Sequence, residues 1–144
     1  MSHPLWIVVA NGSSARAFER SGAREPLVEL QNWVHPQTRM HASELSLDHP
    51  GPGHSGRGGL TPRIGQRHKA RNQFAHELSQ WLQAKVAGQN QGLVAVFSSN
   101  PFLGELMAEL PKSVHKQVCV SHPTDLTALP FQTLDERLRK DYRL

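Results

Sequence analysis

The densest chemistry in this chain lies in HSGRGGLTPRIGQRHKAR, residues 54–71. Between His49 and His76 stand five cations, Arg57, Arg63, Arg67, Lys69 and Arg71, and no Asp or Glu. The formal net charge is +4, from 16 basic against 12 acidic residues, so the rest of the chain is nearly balanced and the basic excess resides here. His49, His54, His68 and His76 add to it when protonated. A single-sign cluster of this density is an electrostatic footprint for a polyanion. Gly56, Gly58 and Gly59 let a backbone enter a narrow channel and present its amides to phosphates, while arginines bind phosphate bidentately and stack on unpaired bases. No Phe, Trp or Tyr lies between Asp48 and Gln73. Binding would therefore rest on charge and shape, and be salt-sensitive. The competing reading is a solvated basic linker.

Other chemistries fit less well. The glycines are not followed by Gly-Lys-Ser/Thr, and several residues separate them from the expected helix, so a Walker loop is excluded. A dinucleotide fingerprint needs strand, glycines and helix in direct succession, and no Gly-x-Ser-x-Gly elbow occurs. His41, Glu44, Asp48, His49, His54 and His68 invite a metal reading, but they lack the paired or helical spacing that preorganises ligands. The lone Cys119, in the alternating run QVCV, reads as a small buried hydrophobe in a strand. ERLRKDYR near the end reads as a solvated helix face. No catalytic residue, metal or cofactor is assigned.

These residues need a body to hold them. A chain of 144 residues makes one ordinary domain with a sizeable core. Its hydrophobic content of 38%, with ten Pro and eleven Gly, suggests a folded body carrying one long irregular excursion. No basic leader or membrane-length apolar run is present, so a reducing cytoplasm is the expected compartment. Residues 5–11, LWIVVAN, read as a buried strand closed by an Asn-Gly turn, with ARAFER pairing back as a hairpin. Residues 26–35 read as a third strand. No period is sustained over residues 36–66, which are expected to form a long flexible loop. From about Arg67, the recurrence of Phe74, Leu78, Trp81, Leu82 and Val86 predicts a helix that stops at Gly88. GLVAVFSS follows as a strand, Pro101 opens a helix through Leu110, and KQVCVSH is a further short strand. A tail helix is expected over residues 126–139, interrupted near Pro130. Trp81, Leu82, Phe97, Leu103 and Leu106 are expected in the core. The sum is a single α/β domain, residues 1–144, with a mixed sheet covered by helices and a protruding basic loop before the main helix.

The succession WIVVANGSSARAFE, HPQTRMHASEL with DHPG, FAHELSQWL, LVAVFSSNPFLGEL and DLTALP resembles the bacterial host attachment protein family, over nearly the whole chain. That family is similar in turn to the middle domain of archaeal and eukaryotic class-one release factors and of Pelota. The resemblance implies an α/β domain whose protruding loop precedes a long helix. In release factors this loop carries Gly-Gly-Gln into the peptidyl-transferase centre; Pelota-like rescue factors lack the tripeptide. Here Gly58 and Gly59 match the glycine pair, Leu60 stands where the glutamine would be, and a separate Gly65-Gln66 follows. The resemblance thus carries loop insertion into RNA rather than peptidyl-tRNA hydrolysis or codon-specific termination. It implies a cytoplasmic ribosome-binding factor of hibernation, stalling or rescue type, with ribosomal RNA and also tRNA as candidate partners and no membrane. The RNA-binding set would be Arg57, Gly58, Gly59, Arg63, Gln66, Arg67, Lys69 and Arg71, with Asn11 and Arg16 in the first hairpin as secondary candidates. The non-enzymatic reading is preferred. A hydrolase of RNA or aminoacyl esters, and an adhesion-related interaction protein, stand as alternatives.

Overall fold

A computed structural model describes residues 3–35 and 56–144, with the backbone alone for residues 56–64, 66 and 67. The strand β1, Leu5–Ala10, is buried along its whole length. Trp6, Val8 and Ala10 enter one core cluster, whereas Leu5, Ile7 and Val9 enter the other. A strand covered on both faces must be apolar at every position, hence the unbroken run LWIVVA. Strands β2, Ser14–Arg20, and β3, Leu27–Val34, follow as an antiparallel meander. Strands β4, Leu93–Ser98, and β5, Val118–His122, lie parallel on the other side of β1. The sheet order is β3-β2-β1-β4-β5.

Helix α1, Gly56–Val86, connects β3 to β4. Its Phe74, Ala75, Leu78, Leu82 and Val86 pack on one face of the sheet, joined by α2, Phe102–Glu109, and α3, Lys112–His115. Helix α4, Phe131–Tyr142, covers the opposite face with Leu134 and Leu138. The expected α/β architecture, a mixed sheet covered by helices, is the one observed. Gly12, at φ +89°, takes the first central position of the two-residue β1–β2 turn, a conformation glycine adopts without strain.

Several expectations need correction. Residues 36–55 of the expected loop lie outside the described residues, but residues 56–66 belong to α1, which begins eleven residues before Arg67. Extending a helix already anchored by buried side chains needs no new nucleus, so α1 runs on through glycines that each cost roughly 1 kcal/mol and through Pro62, which brings no N–H of its own. The tail helix starts at Phe131, with Pro130 at its N-cap, and ends at Tyr142. Leu126 packs into the core from the connection before it. Leu82, Phe97 and Leu106 are buried, while Trp81 and Leu103 are half-buried at the rim. The Trp81 ring stands edge-on to Trp33 of β3 at 5.7 Å. Cys119 lies in a strand as expected but is exposed. Val118 pairs with Val94 and Val120 with Ala95, so Cys119 falls in the register shift and points into neither cluster.

Candidate nucleic-acid interface

The basic stretch is the first half of α1. Among the described side chains of this helix, Gly65, His68 and Lys69 are exposed, and the first buried one is Ala70. At 1.5 Å rise per residue, the fourteen residues from Gly56 up to Ala70 make a rod about 21 Å long ahead of the packed part. The sequence-predicted residues Arg57, Gly58, Gly59, Arg63, Gln66 and Arg67 all sit on this rod by backbone position; their side chains lie outside the described set.

The root of the rod is fixed by charge. Arg71 donates from Nε to Glu105 Oε1 at 3.0 Å and from Nη2 to Glu105 Oε2 at 3.1 Å, tying α1 to α2 through a bidentate pair. His68 Nδ1 stands 3.5 Å from the same carboxylate and 3.3 Å from Arg71 Nη2. The close approach of the β1–β2 turn shapes this corner: a Cβ on Gly12 would lie 3.5 Å from Arg71 Cδ and 3.8 Å from Phe102 Cβ. Further along α1, His76 Nδ1 is 3.1 Å from Glu109 Oε1, and Ser79 Oγ donates to the Glu109 carbonyl at 3.1 Å. The His35 ring packs 5.0 Å from that of Phe74, and its Nε2 lies 3.6 Å from Glu77.

The secondary candidates sit in internal networks. Asn11 Oδ1 accepts from the backbone amides of Ser13 and Ser14, each at 3.0 Å, and Nδ2 donates to Asp125 and Thr127, each at 3.2 Å. Arg16 forms a bidentate pair with Glu29 at 3.1 and 3.2 Å. It also donates to the carbonyls of Thr127 and Leu129, at 3.2 and 2.7 Å, and lies 5.1 Å over the Phe18 ring. Both residues lock the first hairpin to the connection that leads into α4. Arg20, buried in β2, does the same near the other end of that helix, donating to Asp135 at 2.7 Å and to the Leu144 and Glu25 carbonyls.

The structure therefore brings Arg71 and His68 together with a partner that the sequence did not announce, Glu105. Thirty-four positions separate Arg71 from that carboxylate, and no local spacing links them. The metal candidates His41, Glu44, Asp48, His49 and His54 lie outside the described residues. His68 is described, and it faces Glu105 and Arg71. No helix among the described residues is long and apolar enough to cross a membrane.

A family model described as "Protein required for attachment to host cells" matches residues 6–138. No curated protein sequence matches the chain. Among solved structures, the archaeal translation termination factor aRF1 is similar, with a TM-score of 0.56 at 14% identity over 98% of this chain and 35% of that one. The chain spans about a third of that structure's length, and the likeness is one of fold.

Proposed function

Since the chain belongs to the family of proteins required for attachment to host cells, and folds like part of a translation termination factor, we propose that it is a ribosome-binding, translation-associated factor. It acts in the cytoplasm as a hibernation, stalling or rescue factor and has no codon-reading role. The family's description names an outcome and no chemistry; the chemistry of this chain is the rod. The observation that carries the reading is the run of cations without a carboxylate on the part of α1 that precedes its first described buried residue. Arg57, Arg63, Arg67 and Lys69 contact phosphates of ribosomal RNA near the functional centres, while Arg71 holds the root of the rod against Glu105.

The glycines have a role in this scheme. Gly58, Gly59 and Gly65, inside the helix, each lower its stability by about 1 kcal/mol relative to alanine. The first turns can therefore exchange helix for an extended tip on RNA at modest cost, with Gly58 and Gly59 at its narrowest point and Gln66 at its base. Sucrose-gradient sedimentation of the tagged protein, from growing and from starved cells, tests the reading. Co-migration with ribosomal particles, lost after ribonuclease treatment, is the expected outcome. Protein remaining at the top of low-salt gradients under both conditions contradicts it.

A further inference from the structure

The body is nearly neutral in sum, but its charge is not evenly spread. Between Glu109 and Asp125 the sequence holds no acid, while Lys112, His115, Lys116 and His122 fall in this interval. Three of these basic residues gather at α3. Lys112 and His115 lie in this one-turn helix, and the amide of Lys116, at its C-cap, donates to the Lys112 carbonyl at 3.1 Å. Side chains three and four positions apart on a helical turn are neighbours, with Cβ atoms about 5–6 Å apart, and like charges at that spacing repel. A carboxylate beside them would relieve the repulsion, yet among the described residues no ion pair reaches Lys112 or Lys116. Glu109, the acid closest in sequence, is 3.1 Å from His76 Nδ1 on α1. The turn itself is firmly held. Val114 is fully buried beneath it, and Gln117 Nε2 donates to the Gln89 and Gly92 carbonyls, each at 2.7 Å. The fold thus fixes this backbone while Lys112, Ser113, His115 and Lys116 all stay exposed.

From this arrangement we infer that Lys112, His115 and Lys116 form a second phosphate-binding surface, whose partner is the same folded RNA that the rod engages. The inference rests on the ribosome-binding reading and adds a contact that the rod does not supply. Two lysines one turn apart suit neighbouring phosphates of one backbone strand, and the Ser113 hydroxyl and His115 ring bring further donors. The place of α3 decides the size of the ligand. Val114 packs into the same core cluster as α1, so α3 and α1 share one face of the sheet. They meet at the end of α1 remote from the rod, where Gln117 reaches Gln89, just beyond the last turn. From Arg71 to Val86 the packed part of α1 is about 22 Å long. A free phosphate or a mononucleotide cannot touch both ends of that span, whereas a folded RNA can. Two contacts on one ligand act as linked sites, so each strengthens the other.

Ribosome co-sedimentation over a salt series tests it on three proteins. These are the parent, Lys112→Gln with Lys116→Gln, and Lys112→Arg with Lys116→Arg. The glutamine pair should keep the parent thermal midpoint and bind about tenfold more weakly near 100 mM salt. Its log–log slope should flatten by about 1.4 units, the single-stranded coefficient for two phosphate contacts. The arginine pair should bind as the parent does, because charge and phosphate donors are kept. Lys116→Gln alone, with a flattening of about 0.7 units, serves if the glutamine pair is destabilised. A parent that binds, beside a glutamine pair with the parent affinity and slope, overturns this inference alone and leaves the rod's role standing. Weakened binding by a folded arginine pair overturns it as well, since a charge contact survives that exchange. A parent that does not bind ribosomes overturns both this inference and the reading it rests on.

Discussion

Arg71 and Lys69 are near neighbours of one charge type, yet their surroundings assign them different work. Lys69 is exposed, whereas Arg71 is three-quarters covered and shares both carboxylate oxygens of Glu105. Arg71→Gln should therefore lower stability by about 1–3 kcal/mol, the usual range for a charge-assisted hydrogen bond. Lys69→Gln should leave the thermal midpoint nearly unchanged, and parallel thermal melts of the two variants check the contrast. The residue types of the basic cluster were legible in the sequence; which of them serve the fold was not, because Glu105 is a long-range partner. The same holds for Asn11 and Arg16, whose Asp125, Thr127 and Leu129 partners come from the far end of the chain. Cys119 gives a second residue-scale prediction. Its surface is exposed, but desolvation by the neighbouring body raises the thiol pKa above its ordinary value, and the backbone hydrogen bond at its own position opposes this only in part. A raised pKa means less thiolate at neutral pH. Alkylation by iodoacetamide should thus go to completion, with a rate–pH profile displaced upward from that of a free thiol peptide; a profile matching the peptide contradicts this.

The elements differ in how plainly the chain writes them. Strands β1 and β4 were legible because a strand buried on both faces admits only apolar residues. The packed half of α1 was legible because Phe74, Leu78, Leu82 and Val86 recur at the helical period and are all buried. Leu82→Ala should cost about 2–5 kcal/mol, and an unchanged thermal midpoint would place this residue outside the core. The first half of α1 was not legible. Its glycines and Pro62 carry the local signature of a loop, and the helix there is inherited from the anchored turns that follow. Gly65 tests this directly, since a Cβ built there meets nothing within 4 Å. If the segment is helical, Gly65→Ala should stabilise the protein by about 0.5–1 kcal/mol and raise its helical circular dichroism. A neutral or destabilising effect would restore the loop reading for these turns. At β5 the period-two alternation around Cys119 suggested burial, but the register shift is set by β4 and cannot be seen in VCVSH itself.

At the scale of the whole molecule, a three-layer body whose described sheet runs from β3 to β5 carries one long helix whose leading half holds five cations, counting Arg71 at its root, and no acid. The body is nearly neutral, so the field of the protein is polarised toward one element. On the proposed reading, such an arrangement steers a polyanion to the rod and leaves the core uninvolved. The most direct test of the central claim replaces Arg57, Arg63 and Arg67 together with Gln, sparing Arg71 because it holds α1 to α2. Ribosome affinity is then measured by co-sedimentation over a series of salt concentrations. The expected result is an unchanged thermal midpoint, a steep loss of affinity, and a log–log salt dependence flattened by about two units, using the single-stranded coefficient for three phosphate contacts. Ribosome binding with the parent affinity and the parent salt slope would contradict it and leave the basic half of α1 a solvated helix.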